Sequence, residues 1–229
     1  MWLINSSIGR KLIMSISGIM LVLFLLFHGL MNMVVIFSAD AYNAICAFLG
    51  ANWYALIATK GLALGFLVHI AYALFLSYQN MKARGKERYA VSDKQDNVSW
   101  ASKNMLVLGL IVFGFLALHL YHFWSKMQLV EVGHMLGKHI GDIDKAVDGA
   151  YWITYWFSQP VYAIIYLVWL SALWLHLTHG VWSSLHSLGL NNQTWLPRVK
   201  CISNIFATLV VLLFVSVVVY TYVYQNFVL

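Results

Sequence analysis

The stretch Leu12–Phe37 reads LIMSISGIMLVLFLLFHGLMNMVVIF and contains no Asp, Glu, Lys or Arg. A helix needs about 20 predominantly apolar residues to cross the roughly 30 Å hydrocarbon core of a bilayer, so this run is long enough to span one. Arg10 and Lys11 stand just ahead of it, as they would in a secretory signal peptide. The apolar region of a signal is shorter, however, and ends at a small-residue cleavage site that this run lacks. The stretch therefore reads as a retained first span.

The rest of the chain repeats the pattern. Of 229 residues, 62% are hydrophobic and 10% charged, with a mean hydropathy of +0.75. A soluble domain is about half apolar and a quarter charged, so this chain could not cover its surface with polar groups. Two prolines argue against a disordered or linker-rich protein. Further spans are expected at Ala55–Tyr78, Met105–Trp124, Pro160–Leu185 and Ile202–Tyr222, the fourth opened by Ser158 and Pro160 as a helix-start signal. The predicted fold is all-α: a polytopic bundle of five transmembrane helices, with residues 1–229 forming one transmembrane domain. Cys46 and Cys201 fall on opposite sides and cannot bridge. Neither belongs to a C-x-x-C-H sequence, which excludes covalent c-type haem attachment.

Charge orients the bundle. The N-terminus and the loops near 81–104 and 186–201 share one side and carry Arg10, Lys11, Lys82, Arg84, Lys86, Arg88, Lys94, Lys103, Arg198 and Lys200. That side nets +7 from ten basic and three acidic residues, against −1 from four basic and five acidic on the other. The positive-inside rule then predicts a cytoplasmic N-terminus and an external C-terminus. Aromatic clusters at Trp53–Tyr54, Tyr151–Trp156 and Tyr220–Tyr224 fit an outer interfacial belt. The basic face reads either as insertion topology with anionic-lipid contact or as a dock for a soluble partner. Its charges are scattered over loops, with no sign of nucleic-acid binding.

Ionisable residues inside spans are costly and usually functional. No Asp, Glu or Arg lies deep in any predicted span, but His28, His69, His119 and His176 do, one in each of the first four. At 1.5 Å per residue, His28 and His119 lie roughly 24 and 21 Å above the cytoplasmic end. His69 and His176, on descending helices, lie roughly 14 Å above it. The four histidines thus form an outer and an inner level pair. Two level pairs on facing helices are what two bis-histidine haems require. Gly18, Gly29, Gly65, Gly114 and Gly180 either let a flat ring approach the backbone or serve ordinary close helix packing. His122 and His179 follow His119 and His176 at i+3 on the same helical face, one turn nearer the surface. They read as interfacial histidines or as neighbours of a haem propionate or quinone. His134 and His139 read as solvated, and His186 as interfacial.

The chain also resembles a family, the di-haem cytochrome b anchor of succinate:quinone oxidoreductases, of the single-polypeptide, five-helix type. The likeness runs through GRKLIMSISG (Gly9–Gly18), LLFHGLMN (Leu25–Asn32), FLVHIAYAL (Phe66–Leu74), LALHLYHFW (Leu116–Trp124) and HLTHGVWSSL (His176–Leu185). The last stretch matches the family pattern that selects His176 over His179. The resemblance implies a transmembrane cytochrome b subunit of a succinate dehydrogenase or quinol:fumarate reductase in a bacterial inner membrane. It implies two haem b groups, the outer held by His28 and His119 and the inner by His69 and His176. It implies an iron–sulfur subunit and a flavoprotein with covalent FAD on the cytoplasmic face, and a quinone site, usually for menaquinone, towards the outer side. Succinate or fumarate chemistry would belong to the flavoprotein, so the chain would not be an enzyme alone. Some fumarate reductases carry a glutamate two residues before the fourth-span ligand, where this chain has Trp174. Asp40 and Lys60 are the ionisable candidates for quinone protonation, each also readable as a plain interfacial residue. Among other classes, a membrane di-iron oxygenase would need its histidines clustered at one depth, and HLYH and HLTH lie at different depths. Another di-haem cytochrome, such as a quinol oxidoreductase core or a dehydrogenase anchor, and a non-haem structural or transport protein complete the alternatives. A quinol oxidoreductase core would have two histidines about a dozen residues apart within one span, and none of these spans does.

Overall fold

A computed structural model describes residues 6–50, 52–84 and 99–229. Lys86, Arg88 and Lys94 of the basic side lie outside the described residues. Among those described every regular element is helical: α1 (Ser7–Phe37), α2 (Ala39–Leu49), α3 (Trp53–Arg84), α4 (Trp100–Lys103), α5 (Met105–His119), α6 (Gln128–Met135), α7 (Ile143–Ala146), α8 (Gly149–Phe157), α9 (Pro160–Ser187) and α10 (Trp195–Val223). Helix α5 runs on through a π turn at Leu120–Trp124, and α10 through another at Tyr224–Val228. Five helices are long and apolar enough to cross a membrane, and the protein is an all-α, multi-pass membrane bundle.

These five match the expected spans in order, but four of them run longer. Helix α1 has 31 residues, roughly 46 Å at the α-helical rise. Hydropathy sees only the apolar part of a helix, whereas backbone hydrogen bonding continues into the polar boundary. Ser6 starts α1 by accepting from the Gly9 N–H at 2.9 Å. Ser38 ends it, donating its own N–H to the Val34 carbonyl while its hydroxyl accepts from Ala41 N–H to open α2. One residue thus closes one helix and caps the next. Pro160 stands in the first turn of α9 behind Gln159, while Ser158 closes α8 instead. The expected helix start was therefore correct in place but not in its capping residue.

Helices α1, α3, α5 and α9 form a four-membered ring. Helix α1 packs on α3 and α9, α9 packs on α5, and α3 meets α5 lightly. Helix α10 lies outside, against α1 and α9. The main core is built where α8, α9 and α10 meet, around Ile153, Phe157, Leu170, Leu173, Val210 and Val217. Leu23, Phe27, Leu64 and Leu67 point outward, as lipid-facing positions should.

The end of the bundle opposite Arg10 is capped by the short helices α2, α6, α7 and α8. Asn43 joins α2 to α8, donating to Asp148 Oδ1 at 2.8 Å and accepting from the Ala150 N–H at 2.9 Å. Gly149 allows this approach, since a Cβ there would meet Cys46 Sγ at 2.5 Å and the Tyr42 ring at 2.9 Å. Burial, reinforced by Glu131 and Asp148, pushes the Cys46 thiol up to about 11 against the opposing effect of its hydrogen bond with Tyr42. Trp156, expected in an interfacial belt, is instead buried, whereas Tyr155 on the same helix is exposed.

Candidate functional site

The four spaced histidines meet in two pairs. His28 on α1 and His119 on α5 have ring centroids 5.9 Å apart and planes at 87°. His69 on α3 and His176 on α9 are 6.5 Å apart at 65°. Both pairs lie across the diagonals of the four-helix ring. Among the described residues, neither α1 with α5 nor α3 with α9 forms an extended packing contact, so the imidazoles meet across space that the backbones leave open.

The levels are consistent on each helix that can serve as a ruler. On α1, Ser17 touches His69 eleven residues before His28, roughly 17 Å of helix. On α5, Gly109 faces His176 ten residues before His119, roughly 15 Å.

The pair nearer Arg10, here the basic-end pair, is sparsely furnished. Ser17 Oγ lies 3.3 Å from His69 Nδ1, and the Ser17 hydroxyl hydrogen is directed to the Met14 carbonyl at 3.0 Å. The Ser17 hydroxyl thus lies between the Met14 carbonyl and His69 Nδ1, and Nε2 is the ring nitrogen outside this contact. Two glycines flank the rings. A Cβ on Gly18 would sit 3.4 Å from His69 Cε1, and one on Gly109 would sit 3.5 Å from His176 Cε1. Gly109 was missed in the sequence because depth alone does not say which glycine faces a ligand. Gly29 and Gly65 serve helix packing instead, meeting Leu213 with Phe214 and Met20 respectively, while Gly180 faces Met105 and Gly114 faces nothing.

The opposite pair, here the aromatic-end pair, is enclosed by rings. His28 stacks on Phe24 at 5.3 Å and meets Phe214 at 5.7 Å. His119 meets Phe123 at 5.2 Å, Trp169 at 5.6 Å and Tyr166 at 6.3 Å. The His28 carbonyl accepts from Asn32, whose own oxygen accepts from the Tyr42 hydroxyl, fixing this part of α1 to the cap. Trp169 escaped the sequence reading because an indole in an apolar run is unremarkable. Its signal was the spacing Tyr166, Trp169, His176, which follows one face of α9.

His119 Nδ1, His176 Nδ1 and Trp169 Nε1 are buried without a hydrogen-bond partner, as are His179 Nδ1, His134 Nε2 and Ser203 Oγ away from the pairs, a state that costs about 1–3 kcal/mol per group. Each pair contributes one such imidazole. Metal–imidazole bonds of about 2.0 Å on either side of one ion, with ring centres about 1.1 Å further out, would put collinear centroids about 6.2 Å apart. The observed 5.9 and 6.5 Å bracket that figure. Among the described residues no three His, Cys, Asp or Glu side chains form a metal-holding group. Each level thus offers two imidazoles, and a ligand would have to bring the remaining donors.

The other candidates lie apart from the pairs. His122 is 1% exposed and hydrogen-bonds through Nδ1 to the Tyr166 hydroxyl, so its side chain is enclosed within the protein. His179 has an unpartnered Nδ1 and packs edge-on to Trp182 at 4.9 Å. Asp40, in the first turn of α2, and Lys60, on α3, are both exposed. Trp174 turns to α10 and donates to Thr208 at 2.9 Å. His134 and His139 meet at 5.1 Å; His139 is exposed, while His134 has a buried, unpartnered Nε2. Comparison with protein-family models, with curated proteins and with solved structures finds no match for this chain.

Proposed function

We propose that the chain is a membrane electron-transfer subunit that holds two b-type haems, one between His28 and His119 and one between His69 and His176. The observation that carries this reading is the pairing of all four histidines across the two diagonals of one helical ring. A plain core histidine needs only one hydrogen-bonding neighbour. The opposed imidazoles of each pair would hold one haem between them, with the remaining donors supplied by the haem itself. Haem supplies one-electron chemistry when bound. The protein's part is to hold the imidazoles neutral and oriented, exclude water with the surrounding apolar side chains, and keep the two levels close enough for exchange.

The likeness to the di-haem anchors of succinate:quinone oxidoreductases extends the proposal. In that setting the basic end faces the cytoplasm of a bacterium and receives the iron–sulfur and FAD subunits. The aromatic end serves a quinone, with menaquinone the expected species. The concentration of Lys and Arg at one end supports this polarity. His28, His119, Trp169 and Tyr166 would line the haem on the quinone side, and Ser17, Gly18 and Gly109 the one facing the iron–sulfur protein.

The test is a haem count. The chain purified in mild detergent should give reduced-minus-oxidised spectra of b type and two haems per polypeptide by pyridine haemochrome. One haem would invalidate one of the pairs, and none in carefully prepared membranes would overturn the reading.

A further inference from the structure

Immediately beyond His119 the hydrogen bonding of α5 changes. Leu120–Trp124 is a π turn, with the Ser125 N–H donating to the Leu120 carbonyl at 2.8 Å. In an α-helix, residues three apart fall about 60° short of a full turn and share a face. The wider π turn leaves them further short, while His119 and His122 still share Phe123 and Tyr166 as ring neighbours. Such turns have poorer intrinsic stability than α-helix and mark functional positions when they persist, so something must hold this one.

His122 is held on every side. Its ring stacks on Trp156 with centroids 3.8 Å apart and planes at 12°, and the Trp156 indole N–H donates to the His122 carbonyl at 3.0 Å. Tyr162 closes edge-on at 5.0 Å. His122 Nδ1 lies 3.1 Å from the Tyr166 hydroxyl, and the ring of that tyrosine bears on His119. The π turn, the two tyrosines and the tryptophan therefore join α5, α8 and α9 at one buried imidazole. Resting on the haem reading above, we infer that His122 is a positioning residue: through Tyr166 it fixes the plane of the His119 imidazole against that of His28.

The angle between axial imidazole planes governs the electronic structure of a ferric bis-histidine haem. Nearly perpendicular planes, like the 87° here, give a strongly anisotropic low-spin signal, and parallel planes give a more rhombic one. The effect of His122 is thus measurable without enzyme turnover.

The experiment compares the full chain with H122F, H122N, Y166F and H122F/Y166F. Readouts are haem content, low-temperature paramagnetic resonance of the ferric protein, and the midpoint potential of each haem, assigned with H28A and H69A. H122F keeps a ring on Trp156 but loses the hydrogen bond, while Y166F keeps the ring on His119 and loses the hydroxyl. Both should alter the signal and potential of the His28–His119 haem in the same direction and leave the other haem unchanged. The double variant should match either single one, and H122N, which restores a polar atom near Nδ1, should recover part of the native signal. Selective loss of the His28–His119 haem in H122F would also support the inference. Unchanged signals in both single variants, equal changes at both haems, loss of both haems in Y166F, or additive effects would overturn it. A wild-type chain without haem would overturn the underlying reading instead.

Discussion

The two histidine pairs are built from opposite materials. Around His28 and His119 the protein supplies bulk: Phe24, Phe123, Phe214, Tyr166 and Trp169 crowd the imidazoles, with Asn32 and Tyr42 tying the backbone to the cap. Around His69 and His176 it supplies room, with Gly18 and Gly109 beside the rings and Ser17 as the hydrogen-bond partner of His69. The helices follow suit. Helix α9 contributes heavily to the main core, whereas the most apolar stretch of α3 has no residue buried within the bundle. The same side chain can therefore be oriented by packed rings in one place and by one hydrogen bond and clear space in another. Each strategy should fail differently.

The pairing itself is the most severe test. H28A and H119A should share one phenotype, loss of one haem per chain with one set of spectral features gone. H69A and H176A should share the other. A scrambled pattern, with H28A resembling H69A, would break the diagonal assignment.

Substitutions that fill space should discriminate next. G109L should diminish the His69–His176 haem selectively, because the added side chain occupies the volume beside His176. G109A should be nearly neutral, since its Cβ would lie at ordinary contact distance, 3.5 Å from the ring. Equal haem loss from both levels in G109L would remove the distinction between a roomy and a crowded site.

A subtler effect is expected for S17A. In the tautomer with Nδ1 protonated, Ser17 would accept from His69 and increase the basicity of the imidazole, which would favour ferric iron in a bound haem. Its loss should raise the midpoint potential of that haem by no more than about 40 mV, the limit set if a hydrogen bond worth about 1 kcal/mol acted in the ferric state alone. Redox titration of S17A beside wild type checks the sign and shows whether the aromatic-end haem stays put.

The smallest change probes the cap. Cys46, held up at about 11 mainly by burial, should resist maleimide at pH 8, where the thiolate is scarce, and react only as the pH nears that value. Cys201 is exposed and should label readily. Sided labelling of Cys201 in oriented vesicles would also test whether the basic end faces the cytoplasm.

Much of the site was legible in the chain because depth in a membrane is one-dimensional. Counting residues at a fixed rise puts His28 level with His119 and His69 level with His176, and a bilayer forbids most ways of changing that count. Which side of a helix a residue faces is harder to read. The i, i+3 spacing set His119 and His122 near one face, but it gave no sign of the π turn between them or of the Trp156 ring stacked on His122. Hydropathy missed the cap helices altogether, although Ser38, Asp142 and Asp148 carry capping side chains. Their amphipathic stretches are too short to stand out beside the spans.

The sequence by itself determined the number and order of the spans and the depth of each histidine, because the apolar length needed to cross a bilayer and the rise of a helix leave little freedom. Tertiary structure alone decided that the pairs lie on diagonals, that Gly109 faces His176 while Gly65 faces Met20, and that His122 is enclosed by Trp156, Tyr162 and Tyr166. Those outcomes depend on helix rotation and neighbour choice, which are set by packing among many side chains and by a local change of helical register.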